Sequence, residues 1–237
     1  SSAPVHGLRM RALSELADGS RRVIIAPLRS AITPLPPRKE ILSRRLTLKS
    51  GGSFDPVALA RKLNEFGYSR VPQVSVRGEY ALRGEVLDLY IPGFDNPLRV
   101  VFEFDEIERI TFFDPVSQSS VEHLSNVVVY PVKEVLWDEA RVGIFEKAFG
   151  QTPELRRHGK ELLETLREER TLPGEEYLYF LAFEDPESLM RFAGRDTLFV
   201  FSDYERLLAG AGAIRKEFEG VFADRHFRDP LVKPERF

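Results

Sequence analysis

The sequence predicts an α/β fold into which an antiparallel α+β segment is inserted. Two observations support this class: a short apolar run lies next to helical text at each end of the chain, and closely spaced strand-like runs fill the middle. With 237 residues, 43% of them hydrophobic, the chain can bury a core for one large domain or two small ones.

The first end of the chain combines a helix with a strand. Gly19 is a natural stop for an opening helix whose apolar face holds Val5, Leu8, Ala12 and Leu16. The run RRVIIAP at 21–27 is β-branched and apolar on both faces, which is typical of a covered parallel strand. Because one strand cannot form a sheet, we expect its partner strands later in the chain or outside this sequence.

The C-terminal end of the chain also combines a strand with a helix. Thr197 to Phe201 predict a second apolar strand, and Ser202 with Glu205 fits a capping box for the helix that follows. One face of that helix carries Leu207, Ala211, Ile214 and Phe218. The two ends are therefore predicted to form one α/β domain.

The middle of the chain has a different pattern of predicted secondary structure. Asp55 as N-cap, Pro56 at the first helical position and Gly67 at the stop predict a short helix, and strand-like runs separated by turns follow it. PLPPRK and the segment around Pro131 read as linkers, and 137–170 read as two charged helices. We therefore divide the chain into residues 1–44, 45–131 and 132–237.

Composition excludes several classes of protein. The 34 basic and 37 acidic residues give a net charge of -3, which does not favour DNA as the primary ligand. The sequence has no cysteine and therefore no disulfide and no thiolate metal site. No apolar run approaches the roughly 20 residues of a membrane span, and the start does not resemble a signal peptide. We expect a soluble cytoplasmic protein.

No motif for catalysis or for cofactor binding is found. A glycine-rich loop ending in Gly-Lys-Ser/Thr is absent, and AGAGA at 209–213 reads as helix packing or local weakness. The four histidines are scattered, no nucleophile elbow occurs, and the acidic cluster reads as a solvated strand edge formed by Glu103, Asp105, Glu106 and Glu108. We therefore predict no catalytic residue, no cofactor and no metal.

A charged surface remains as the candidate site. Read as a strand, residues 98–105 direct Val100, Phe102 and Phe104 to the core, and place Arg99, Val101, Glu103 and Asp105 on the opposite face. Arg99 suits carboxylate pairing, and a bulge at Gly84 could turn Arg83 onto the same face. The alternative is that both arginines are merely solvated.

One long segment of the sequence carries a family resemblance. GYSRVPQVSVRGEYALRGEVLDLYIPG, followed by PLRVVFEFDEIERITFFDPVSQSSVEHLSNVVVYPVKE, resembles the signature that UvrB shares with the bacterial transcription-repair coupling factors. The resemblance implies a small α+β domain, called domain 2, through which the family contacts the damage-recognition ATPase UvrA.

The flanking segments favour the coupling factors within this family. RRVIIAPLRSAITPLPP and LPGEEYLYFLAFEDP resemble their sequences, whereas UvrB would carry an upstream nucleotide-binding loop and, near PLPPRK, a hairpin that clamps DNA. The resemblance implies an incomplete, degenerate helicase-type α/β domain of the UvrB kind. In it, 1–44 are part of domain 1a, 45–131 are domain 2 and 132–237 are domain 1b.

The resemblance also implies a function and a site. It implies a non-catalytic module that recruits UvrA to RNA polymerase stalled at DNA damage, within an ATP-dependent translocase. Polymerase and DNA would bind other domains, and a C-terminal domain would cover domain 2. The family's UvrA contacts fall on Arg83 and Arg99, while Glu103 occupies the position of an aromatic contact and would meet a basic residue of UvrA. By alternation along the strand, Phe104 would not replace that aromatic. The alternative is a fragment that contributes to ATP or DNA handling.

Overall fold

The computed structural model describes residues 3–19, 23–150, 156–171 and 179–228. The helices there are α1 Ala3–Ala17, α2 Leu28–Ile32, α3 Arg38–Ser43, α4 Pro56–Glu65, α5 Glu139–Gly150, α6 Arg156–Glu169, α7 Leu189–Ala193 and α8 Tyr204–Arg228. The strands are β1 Leu46–Lys49, β2 Ser69–Arg70, β3 Glu79–Arg83, β4 Val86–Leu89, β5 Leu98–Glu103, β6 Glu106–Phe113, β7 Ser120–Leu124 and β8 Asn126–Val129. The predicted mixed α/β class is confirmed.

The chain divides into two compact units. The first contains 1–22, 36–136 and 174–179, and the second contains 23–35, 137–173 and 180–237. All eight strands lie in the first unit.

A six-stranded sheet with the order β2-β3-β4-β5-β6-β7 organises the first unit. β2 pairs with β3 in parallel, and all other neighbours are antiparallel. β1 and β8 form a separate antiparallel pair. Tight turns join β3 to β4 and β5 to β6, whereas longer loops join β4 to β5 and β6 to β7. The register of the strands decides which side chains share a face.

Helix α4 begins and ends where its sequence predicts. The Asp55 side chain accepts a hydrogen bond from the Ala58 N–H at 2.8 Å, which satisfies one of the free amides of the first turn. Gly67 follows the helix with φ +84°, and a Cβ there would lie 2.9 Å from Cγ2 of Val132. Both the backbone and the packing therefore require glycine at this position.

Helix α1 belongs to the first unit and packs against the rest of it through close backbone contact. A Cβ on Gly7 would lie 2.7 Å from Cβ of Pro92, and Arg11 donates to the Gly93 carbonyl at 2.9 Å. Arg9 forms an ion pair with the buried Glu134. The predicted opening helix is confirmed. Its predicted apolar face is wrong, because Leu8 is 60% exposed and the buried apolar side chains are those of Met10, Leu13 and Ala17.

The regular structure of the second unit is helical where it is described, apart from one isolated bridge between Leu35 and Glu187. The two charged helices predicted for 137–170 are confirmed as α5 and α6, and Trp137 packs edge-on against Phe145. Helix α8 includes the AGAGA run, and a Cβ on Gly210 would lie 3.1 Å from Leu28. This close approach supports the packing interpretation for Gly210, whereas a Cβ on Gly212 would meet nothing within 4 Å. Asp203, not the predicted Ser202, accepts the N–H of Arg206.

The two strands predicted at the chain ends are wrong. Residues 23–27 and 197–201 have no regular structure, and their apolar side chains are exposed, among them Val23, Ile25, Leu198 and Val200. A β-branched run forms a strand only where a neighbouring strand pairs with it, and no described strand lies beside either run. The remaining residues of RRVIIAP, Arg21 and Arg22, lie outside the described residues. A separate question is whether any helix could span a membrane. None of the described helices is both long and apolar enough to cross a membrane.

Candidate functional site

One face of the six-stranded sheet gathers most of its charged side chains, and we call it the arginine face. Directly opposite residues of antiparallel strands project to the same side of a sheet. The register pairs Arg83 with Val86, Val86 with Val101, Asp88 with Arg99, Arg99 with Thr111 and Val101 with Arg109. The arginine face therefore includes Arg83, Val86, Asp88, Arg99, Val101, Arg109 and Thr111, together with Ala81 opposite Asp88, His123 opposite Thr111 and, by alternation along β5, Glu103, which lies opposite Glu106.

Asp88 lies at the centre of this face. Its carboxylate is buried, with a side chain only 3% exposed. Arg99 donates from Nε to Oδ1 at 2.6 Å and from Nη2 to Oδ2 at 2.9 Å, and Arg83 donates from Nη2 to Oδ2 at 2.7 Å. Both predicted arginines thus converge on one carboxylate.

Arg99 is held from several sides. Besides its fork on Asp88, its guanidinium lies over the Phe113 ring, 4.4 Å from the ring centroid, and Nη2 donates to Oε1 of Gln118 at 2.9 Å. The hydrogen bonds to Asp88 raise the pKa of Arg99 above its ordinary value. The side chain is still 25% exposed, so part of the guanidinium faces solvent in a fixed orientation.

The loop between β6 and β7 supplies the glutamine that holds Arg99. Asp114 accepts the N–H groups of Ser117 at 2.6 Å and Val116 at 3.0 Å, and these bonds, that of Ser117 foremost, lower its pKa. Gln118 adopts a φ of +60° and donates to the Pro115 carbonyl. The loop is therefore ordered by its own residues and presents Gln118 to the sheet.

Arg83 lies on the arginine face through regular strand pairing, at the end of β3 and next to a tight turn. The predicted bulge at Gly84 is wrong, because β3 and β4 pair regularly up to Arg83 and Val86. Gly84 adopts φ +59° in the tight turn between them. The Arg83 side chain is 51% exposed, so it is the more accessible of the two arginines.

The turn between β5 and β6 overturns the prediction for Phe104. Strand β5 ends at Glu103, so alternation no longer applies to Phe104, which adopts a φ of +56° and is 81% exposed. The prediction that it points into the core is wrong. Glu103 is exposed beside it, as expected for a residue of the solvated strand edge.

Hydrogen bonds from an earlier loop fix this turn. Phe54 N–H donates to the Asp105 carbonyl at 2.7 Å, Gly51 N–H donates to Ile107 at 2.8 Å, and Ile107 N–H donates to Gly52 at 2.8 Å. A left-handed backbone is unfavourable for a bulky side chain and persists only where surrounding bonds impose it. These bonds hold Asp105 and Ile107, which follow Phe104 in the chain.

The chemistry available to this face is ion pairing and apolar contact. Among the described residues, no group of three or more His, Asp or Glu side chains is placed to hold a metal ion. The arginine pair, its buried carboxylate and the exposed aromatic suit recognition of a protein surface. Sequence reasoning missed Asp88, although its cross-strand position opposite Arg99 would have revealed it once the register was known.

Comparison with known proteins defines the class. Residues 46–135 match the family model of the UvrB interaction domain. This segment contains all eight strands of the first unit, the arginine face and the β5–β6 turn. Residues 46–135 are therefore similar to the UvrB interaction domain, and the resemblance found in the sequence is confirmed.

The chain as a whole is similar to transcription-repair-coupling factors. It is 29% identical over 230 residues to that of Escherichia coli (strain K12), covering 96% of this chain and 19% of the relative. It is 36% identical over 138 residues to that of Myxococcus xanthus, covering 56% and 11%. It is also 30% identical over 181 residues to the UvrABC system protein B of Kosmotoga olearia, covering 74% and 27%. The chain spans about a fifth of the length of the Escherichia coli coupling factor.

Proposed function

We propose that this chain is a non-catalytic docking module that binds UvrA through the arginine face of residues 45–131. By this binding it brings nucleotide excision repair to RNA polymerase stalled at DNA damage. The observation that carries the proposal is the convergence of Arg83 and Arg99 on Asp88, within a segment that matches the UvrB interaction domain. The module acts in the cytoplasm.

The proposed site has a charged part and an apolar part. Arg83 and Arg99 present guanidinium groups that suit carboxylates of UvrA, because a guanidinium fork pairs with a carboxylate through two parallel hydrogen bonds. Glu103 meets a basic group of UvrA. The exposed ring of Phe104, at the end of the same strand, offers an apolar contact that the arginines lack.

The remaining regions carry the rest of the proposal. Residues 1–44 and 132–237 are parts of a UvrB-like, degenerate helicase-type α/β arrangement, called domains 1a and 1b. In the full-length protein, RNA polymerase and DNA bind other domains, which include the motor of an ATP-dependent translocase. A C-terminal domain there covers domain 2 until the motor engages.

Binding of purified UvrA by calorimetry tests this proposal. Truncating one partner of a desolvated charge pair costs about 2–5 kcal/mol of binding, so Arg83→Ala and Arg99→Ala should each weaken the complex at least about thirtyfold. Arg61→Ala is the matched control, because Arg61 is an exposed arginine on α4 of the same domain. It should leave the affinity unchanged.

Three outcomes would overturn the proposal. If both variants bind UvrA as tightly as the parent chain, the interface lies elsewhere. If the isolated chain hydrolyses ATP, or binds duplex DNA with a steep salt dependence, the chain contributes to ATP or DNA handling instead. Circular dichroism of each variant checks that the fold is retained, because Arg99→Ala also removes two hydrogen bonds from the buried Asp88.

A further inference from the structure

We infer that Asp88 is a positioning residue of the docking site, which acts on the partner only through Arg83 and Arg99. This inference rests on the proposed function. Asp88 itself is 2% exposed and is enclosed by the two arginines, so it is too buried to contact a partner directly. Its effect on binding must pass through the side chains that it holds.

The geometry explains why a carboxylate is needed at this place. Arg83 Nη2 and Arg99 Nη2 both donate to Oδ2 of Asp88, at 2.7 and 2.9 Å, which brings two positive charges close together. Without the carboxylate the two guanidinium groups would repel each other and separate. With it, two positive charges and one negative charge leave a single net positive charge in a fixed arrangement.

The hydrogen-bond pattern indicates which donors are left for the partner. A guanidinium has five N–H groups. Within the described residues, Arg99 directs Nε and Nη2 to Asp88 and Gln118, and Arg83 directs only Nη2 to Asp88. The donors that remain available to the partner are therefore Nη1 of Arg99 and both Nε and Nη1 of Arg83. Two adjacent sets of donors fit an acidic surface that carries a pair of carboxylates.

The arginines depend on Asp88 to different degrees. Arg99 keeps its contact with the Phe113 ring and with Gln118 when Asp88 is changed, whereas Arg83 has Asp88 as the acceptor of its one described side-chain hydrogen bond. Loss of the carboxylate should therefore displace Arg83 most. The direction of the change in affinity distinguishes a positioning role from a simple charge effect. Removing a negative charge would by itself tighten binding to an acidic partner, whereas loss of positioning would weaken it.

A double-mutant cycle on UvrA affinity tests the inference. Asp88→Asn in the parent chain should weaken UvrA binding about tenfold, within the range of coupling between contacting residues. The same substitution in the Arg83→Ala/Arg99→Ala background should change the remaining affinity less than twofold. An equal loss in both backgrounds, unchanged affinity or tighter binding in the parent chain would each overturn the inference. If the parent chain does not bind UvrA at all, the proposed function fails, which is a different result.

Two further measurements keep the test decisive if Asp88→Asn does not fold. Asp88→Glu keeps the charge but lengthens the side chain, so it should retain the fold and bind with an affinity between those of Asp88→Asn and the parent chain. In the parent chain the Nε–H signal of Arg99 should exchange slowly with solvent, because it donates to Asp88 at 2.6 Å. If that signal exchanges as fast as that of the exposed Arg61, Asp88 does not hold Arg99 in solution and the inference is wrong.

Discussion

Replacing Phe104 by asparagine should stabilise the protein. The backbone at Phe104 has a φ of +56°, a conformation that costs an ordinary L-residue about 1–2 kcal/mol and that asparagine tolerates far better. The substitution loses little packing. The side chain is 81% exposed, which leaves 19% buried, and full burial of a phenylalanine contributes about 1.5–3 kcal/mol. The loss is therefore about 0.5 kcal/mol, and the net gain about 1 kcal/mol.

Urea denaturation followed by circular dichroism measures this change in the free energy of unfolding. Val116→Asn is the control, since Val116 is also highly exposed, at 91%, but lies outside the left-handed region. It should leave the urea midpoint nearly unchanged, whereas Phe104→Asn should raise it at an unchanged slope. A lower midpoint for Phe104→Asn would mean that the ring contributes packing to the free chain, and the strain argument would then be wrong. If the stabilised variant also binds UvrA more weakly, the ring serves binding at the expense of stability.

Further predictions concern the helix stop, the acid stability and the charged strand edge. Gly67→Ala should lower the free energy of unfolding by about 2–4 kcal/mol, because it adds a crowded Cβ to a strained backbone, whereas Gly51→Ala, with φ +75° and open space around it, should cost about 1–2 kcal/mol. If the two variants lose the same free energy of unfolding in urea, crowding does not contribute at Gly67. Partial burial acts to raise the pKa of Glu79, but hydrogen bonds from Val76 and Ser75 outweigh it and lower that pKa. The stability contributed by Glu79 is therefore present above about pH 4.3 and is lost as pH falls through the lowered pKa, so Glu79→Gln should flatten the decline of the urea midpoint in acid. Parallel curves for the two proteins would refute this. Glu103→Lys should weaken UvrA binding in calorimetry, and unchanged affinity would exclude a basic partner for Glu103.

The elements that the sequence predicts well are those set by local chemistry. Helix α4 follows from Asp55, Pro56 and Gly67 alone, because capping and helix termination depend on neighbours in sequence. The face that carries Arg99 and Glu103 follows from alternation within one strand.

The elements that the sequence does not predict depend on distant partners. The apolar runs at 23–25 and 198–201 satisfy every local criterion for a strand, but strand formation needs a neighbour that no local pattern can supply. Alternation predicts that Phe104 points into the core, because alternation does not reveal where a strand ends and a turn begins. Asp88 acquires its importance only from the register that sets it opposite Arg99.

The loop at 51–54 has a consequence for the order of folding. Strands β5 and β6 are neighbours in sequence, so their hairpin can form early, with little loss of chain entropy. The bonds from Gly51 and Phe54 to this hairpin come from much earlier in the chain and must wait for a long loop to close. The hairpin should therefore exist before its tip is fixed, and the exposed ring of Phe104 should take its final direction only late in folding.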